Sequence, residues 1–287
     1  MKCENKCDNE GICTHYLSIN DGLSLRCSGE WAKRKVEHFK YYTEMFATGM
    51  KYKWSNRYYI DLFSGPGKCI VRETLEEFDG SPLNAININD KFTHYYFADF
   101  NSMCIEDLKK RTTKFSSIIS YYNEDCNNII KEIIKDIPVN SLSLAIIDPS
   151  SLQFNFPSYE ILSQRKIDLI INYPIASLER AIASGIKTDF NTNALNKFHP
   201  GWDKFFKSNL WGDSKKMNFF KLKNDYINKI KKLGYYSSEL SDSVAFKNVK
   251  NTTLYYLIAF SKDKKGIEFW EKAKKSIKKK SPQQSLL

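Results

Sequence analysis

The stretch NRYYIDLFSGPGKC, residues 56–69, decides the fold. Residues 57–63 have strand-forming character with Asp61 among them, and they open into Ser64-Gly65-Pro66-Gly67, a turn of small residues. In an open parallel α/β sheet, ligands bind beyond the carboxyl ends of the strands, where the strand order reverses, and the first strand commonly sits there. Glycine in that turn lets the backbone approach a neighbour with no Cβ in the way. Two nucleotide fingerprints are excluded. The dinucleotide pattern needs a third glycine or alanine three places after Gly67, where Ile70 stands. A phosphate loop needs Gly-Lys-Ser/Thr after an earlier glycine, but Gly67-Lys68 is followed by Cys69 and no glycine lies five residues before Gly67.

Outward from the turn, strand candidates recur at 57–63, 94–100, 118–125, 143–150 and 166–174. Helical patterns separate them: SPLNAININDKF, with Ser81 as expected N-cap and Pro82 at the first helical position, then SMCIEDLKKRTTKF, CNNIIKEIIKDI and FPSYEILSQRK. Strand and helix alternating five times predict a mainly parallel Rossmann-like sheet with helices on both faces. Before it, Trp31, Lys35, Phe39, Tyr42 and Phe46 recur at helical steps over 29–50. After 175 the alternation stops. ASLERAIASG reads as helix, and residues 213–236 read as a helix with Phe220, Ile227 and Ile230 on one face and Gly234 as its stop. SVAFKNVKNTTLYYLIAFSK reads as two antiparallel strands around Lys250-Asn251, and a final helix starts near Gly266. The expected division is a cysteine-rich segment (1–28), a Rossmann-like core (29–178), a helical insertion plus closing antiparallel strands of the same sheet (179–270) and a basic tail (271–287).

The chain has 287 residues, 42% of them apolar, enough for a sizeable core. No apolar run reaches the ~18 residues a membrane span needs, and residues 1–15 lack an apolar leader, which predicts a cytoplasmic protein with no membrane partner. The net charge of +11, from 44 basic and 33 acidic residues, suits a polyanionic partner, RNA, DNA or a nucleotide. The plainer reading is a lysine coat, since residues 272–281 alone carry six lysines.

An acid four places before the first glycine, Asp61-x-x-x-Gly65-x-Gly67, resembles the first motif of S-adenosyl-L-methionine-dependent methyltransferases. An acid suits a ligand carrying an ammonium and a sulfonium, and would repel phosphate. The other strand ends agree. Asp99 ends the second strand, where a carboxylate can hold ribose hydroxyls; Asp125 ends the third, within reach of an adenine; Asp148 ends the fourth, facing the reacting methyl group. Acids at strand ends also cap the following helix, a reading that weighs most for Asp125.

In order along residues 20–272, Trp31 with Lys35, YIDLFSGPGK, DGSPLNA, IIDPS, DLIINYP…LER and LYYLIAFSKDKKGIEFW resemble the three-Cys-motif partner (TcmP) family. The resemblance implies a class I methyltransferase-like fold and a three-Cys-motif, radical-S-adenosylmethionine-like partner protein. It is also similar to adenine-N6 methyltransferases of RNA or DNA, which use Asp/Asn-Pro-Pro-aromatic; here Asp148-Pro149-Ser150-Ser151 keeps the acid and the carbonyl but not the stacking ring, for which Phe154, Phe156 and Tyr173 are the candidate replacements. The expected sites are Asp148 and Pro149 for catalysis, Asp61, Phe63, Gly65, Gly67, Asp99 and Asp125 for the cofactor, and Tyr173, Arg180 and Lys35 for substrate. The alternative is a catalytically silent accessory subunit that presents substrate to the partner.

Cys3, Cys7, Cys13 and Cys27, four of the seven cysteines, crowd the first 27 residues. In a reducing compartment disulfides are not expected. A metal, zinc or an iron–sulfur cluster, would explain the density, with His15 able to replace one thiol; free thiols in a tail are the other reading.

Overall fold

In a computed structural model, the chain is described at residue 7 and over residues 11–185, 192–206, 213–238, 243–248 and 250–280. The apolar runs form the sheet's interior. β8 (Leu142–Ile147) and β9 (Ile167–Tyr173) are buried at every residue, as strands covered on both faces must be. Beside them lie β3 (Arg57–Asp61), β6 (His94–Ala98) and β7 (Ile119–Tyr122), all parallel. β12 (Thr253–Ser261) runs antiparallel to β9, and β10 (Tyr236–Ser237) and β11 (Val244–Lys247) pair antiparallel with β12. The order is β10-β12-β9-β8-β3-β6-β7. The chain leaves β3 outward to β6 and β7, then returns to β8 on the other side, so the order reverses at β3 and β8 and a crevice opens at their carboxyl ends.

Alternation along the strands splits the core in two. Ile60, Tyr96 and Ala145 face a cluster with α4 (Cys126–Asp136) and α5 (Pro157–Leu162). Tyr59, Tyr95, Leu144 and Ile146 face the other, built on α1 (Glu30–Met50), α2 (Ser81–Ile86) and α9 (Lys264–Lys280). α3 (Ser102–Arg111), α6 (Ile175–Gly185), α7 (Thr192–Phe198) and α8 (Asp213–Lys232) complete the layers. On α1 the expected stripe of Lys35, Phe39, Tyr42 and Phe46 is buried. On α8 the stripe is rotated by about one residue: Phe219, Leu222, Tyr226, Ile227 and Ile230 are buried, and Phe220 points out at 52% exposure. With lysines on every side, the helix pattern did not discriminate the two phenylalanines.

Two strands absent from the sequence reading follow the turn. β4 (Lys68–Val71) and β5 (Glu77–Asp79) form a hairpin, and β4 pairs in parallel with β2 (Ser24–Ser28), itself paired with β1 (Ile12–Leu17). The cysteine-rich segment thus extends a small four-stranded sheet, order β1-β2-β4-β5, instead of standing apart. Polar ties dock that sheet on the main one. Asp107 of α3 accepts from the Ser24 backbone at 2.9 Å and from its hydroxyl at 2.6 Å. Arg111 binds both oxygens of Asp21 at 2.9 Å and the carbonyls of Ser24 and Pro66 at 2.8 and 2.6 Å. No described helix is long and apolar enough to cross a membrane.

Candidate active site

The turn after β3 shows why it needs glycine. Gly65 and Gly67 take φ of +60° and +92°, a region that costs any residue with a Cβ. A Cβ at Gly67 would lie 2.9 Å from Leu108 of the core, so that glycine serves packing. A Cβ at Gly65 would lie 3.3 Å from Nε of Arg26, which reaches over the turn from β2. Gly80 donates to the Gly67 carbonyl at 2.7 Å and occupies the cap position of α2. Ser81, expected there, is instead the first helical residue, which leaves its side chain beside Asp61.

A cavity of about 720 Å³ lies over the β3–β8 crevice. Its walls come from the turn (Phe63 to Lys68), from Asp148, Pro149 and Ser150 after β8, from Asn172, Pro174, Ser177 and Arg180 of β9 and α6, from Trp31 and Lys35 of α1, from Tyr255 of β12 and from the small sheet. Five of the described lining residues are cations, Arg26, Lys35, Lys68, Arg72 and Arg180, and Asp148 is the one carboxylate among them. Lys35 Nζ donates to both Asp148 oxygens at 2.6 Å and sits 5.0 Å from the Tyr255 ring centre, with Trp31 against Tyr255 edge to face at 5.1 Å. Asn172 Nδ2 donates to the Pro149 carbonyl at 3.1 Å. Arg180 donates to the Ser177 hydroxyl at 3.0 Å.

Phe63, Gly65, Gly67, Asp148, Pro149, Lys35 and Arg180 therefore meet at one cavity. The other expected residues do not line it. Asp61 lies beneath the turn, fully buried: Oδ1 accepts the Phe63 N–H at 3.2 Å, and Oδ2 has no hydrogen bond of regular geometry. Burial raises its carboxyl to about 7, against the opposing pull of Ser81 and the Phe63 N–H. Asp99 accepts from Gly65 N–H at 2.8 Å and Asn101 N–H at 3.0 Å. Asp125 caps α4, accepting the Asn127 N–H at 2.7 Å. Tyr173 is placed away from the cavity, in a buried nest with Phe198 and Tyr226 at 5.9 and 5.0 Å. Strand alternation turns its neighbour Asn172 to the cavity instead. Phe154 and Phe156 are buried in the core as well, so the aromatic surface at the cavity is that of Trp31, Phe63 and Tyr255.

Of the four N-terminal cysteines, Cys3 lies outside the described residues. Cys7 and Cys27 neighbour each other at the cavity wall; burial, then Cys7, holds the Cys27 thiol up to about 11, against Arg72. Cys13 packs with Leu25 and Ile70 in the small sheet's core, and His15 is exposed. Among the described residues no three His, Cys, Asp or Glu side chains are grouped to hold a metal ion.

No protein-family model and no curated protein matches the chain. Its fold is similar to that of a Legionella pneumophila protein of the family DUF519, at TM-score 0.50 and 10% identity over 85% of this chain and 92% of that one. Lower-scoring matches are an S-adenosylmethionine-dependent methyltransferase from Clostridium acetobutylicum (TM-score 0.30, 12% identity, 47% and 51% of the two chains) and a chain of the Haloferax volcanii complex between the Trm112 methyltransferase activator and a methyltransferase (TM-score 0.35, 11% identity, 80% and 92%). The five parallel strands, with the order reversing at β3 and β8 and an antiparallel strand beside β9, form a class I methyltransferase fold.

Proposed function

We propose that the protein is an S-adenosyl-L-methionine-dependent methyltransferase that acts on a nucleic acid or nucleotide together with a three-Cys-motif partner protein. The observation that carries the reading is the cavity at the strand-order reversal, where the Gly65-Pro66-Gly67 turn and Asp148-Pro149 face each other among cations. The residues fit the cofactor. Asp61 keeps an unpaired buried oxygen under the turn, suited to a cationic ligand. Asp99 has spent two of its roughly four acceptor sites on backbone N–H groups, leaving capacity for ribose hydroxyls. Phe100, 73% exposed directly after Asp99, offers a face for the adenine beside Asp125. The cofactor supplies a methyl group already activated by its sulfonium. What remains for the protein is positioning: Asp148 and the Pro149 carbonyl accept hydrogen bonds from the acceptor, Trp31 and Tyr255 give it an apolar wall, and Arg180, Lys68 and Arg72 suit its phosphates. The net charge of +11 supports the polyanionic acceptor, and the TcmP resemblance supports the partner.

The second reading, an accessory subunit without transfer activity, is favoured by one feature: both groups offered to an acceptor amine are already engaged, Asp148 by Lys35 and the Pro149 carbonyl by Asn172. Incubation with methyl-labelled cofactor and total RNA or DNA, with and without the partner, separates the two. Label entering one pool, and lost in Asp148→Ala, is the expected result. Cofactor binding with no transfer to any pool supports the accessory subunit instead.

A further inference from the structure

The arginines of this molecule are not alike. Arg111 is saturated, with Asp21 and two carbonyls on its guanidinium. Arg57 is held by the carbonyls of Ala47 and Lys91 at 2.6 and 3.0 Å. Arg26 donates no hydrogen bond to any described residue. Its Nε is buried without a partner, and its nearest carboxylate oxygen, Asp99 Oδ2, is 3.9 Å from Nη2, beyond hydrogen-bond reach. That same oxygen already accepts the Gly65 N–H. Burial opposes the charge and the Asp99 carboxylate supports it, and Arg26 stays a cation.

Its position is set by the small sheet. Arg26 sits in β2 opposite Cys69 of β4, between Leu25 and Cys27, which pack into that sheet's core. Alternation turns the arginine side chain away from that core, and it lines the cavity, as Cys27 beside it also does, and crosses Gly65. Five donors in a rigid fork are thus aimed at the turn expected to hold the amino-acid end of the cofactor, with no hydrogen-bond acceptor among the described residues. Within that cofactor the ammonium and sulfonium are repelled by a guanidinium, and the methionine carboxylate is the one anionic group, at the end expected over this turn.

We propose that Arg26, delivered by the N-terminal sheet from outside the methyltransferase core, is a cofactor-binding residue that holds the carboxylate of the amino-acid moiety. The assignment rests on the cofactor reading above. It gives the cysteine-rich segment a function: closing the turn and completing the site.

Two ligands and the full chain test it by calorimetry. S-adenosylhomocysteine carries the carboxylate; 5′-methylthioadenosine keeps the nucleoside and sulfur but lacks the amino-acid end. Arg26→Ala is expected to weaken S-adenosylhomocysteine by about ten- to a hundredfold and to leave 5′-methylthioadenosine within about twofold. Arg26→Lys, which keeps the charge and the sheet, should recover part of the loss. Equal weakening of both ligands by both variants would mean that Arg26 only supports the sheet, and would overturn the assignment. So would unchanged S-adenosylhomocysteine affinity with loss of competition by inorganic phosphate for nucleic-acid binding, which would give the guanidinium to the acceptor. Wild-type protein that binds neither nucleoside overturns the cofactor reading itself and this assignment with it.

Discussion

Asp61 and Asp148 end neighbouring parallel strands, yet the protein treats the two carboxylates in opposite ways. Asp148 faces the cavity with Lys35 on both its oxygens at 2.6 Å. Asp61 is buried with no cation, one oxygen unpaired, and a carboxyl raised to about 7. One charge is neutralised in advance by the protein; the other is left costly until something cationic arrives. Residue type at a strand end therefore does not set its role. What the next turn and the opposing helix bring to it does: Ser81 and a glycine turn for Asp61, Lys35 of α1 for Asp148.

The contrast can be broken first at Asp61. Its folded value of about 7 exceeds the ordinary 3.8, so the folded state holds the proton more tightly. The associated stability is present below about pH 4 and is lost as pH rises through 7, by at most about 4 kcal/mol. Asp61→Asn should flatten the fall of the melting temperature between pH 4 and 8; Asp168, also raised to about 7 by burial, keeps its own share of the decline in the variant. Parallel curves for variant and wild type would contradict this. Lys35→Met comes next: it strands Asp148 and should cost about 3 kcal/mol in denaturant unfolding, most of it recovered in Lys35→Met/Asp148→Asn. A double variant no better than the single would show the two residues to be independent. Asp99→Ala is expected to weaken cofactor binding by about ten- to a hundredfold, and unchanged affinity in calorimetry would remove it from the site. The smallest effect belongs to Asp125→Ala, about 1 kcal/mol of thermal stability from the lost α4 cap. A stability unchanged to within a few tenths would mean the cap contributes little.

Local chemistry was readable from residues 56–69 outward. The five strand–helix units, the glycine turn, the closing antiparallel pair and the placement of Asp148 and Pro149 all follow from period, punctuation and motif order. Long-range pairing was not readable. Lys35 and Asp148 are 113 residues apart, and nothing in either segment announces the other. β4 and β5, four and three residues long, are too short to show alternation, so the sheet that delivers Arg26 could not be read. The exchange of Tyr173 for Asn172 has a plain cause: β9 is buried on both faces, and a strand with no polar face does not tell which side meets the cavity. Phe100 did carry a signal, an aromatic directly after the acid of FADF.

The central claim is that a sulfonium nucleoside lies across the carboxyl ends of β3, β6 and β8, and a crystal structure of the full chain with S-adenosylhomocysteine tests it most directly. The expected result places the ribose on Asp99, the base against Phe100 and the amino-acid end over Gly65 with Arg26 on its carboxylate. A complex in which that crevice stays closed by Arg26, or in which a phosphate-bearing ligand takes the turn, would contradict it.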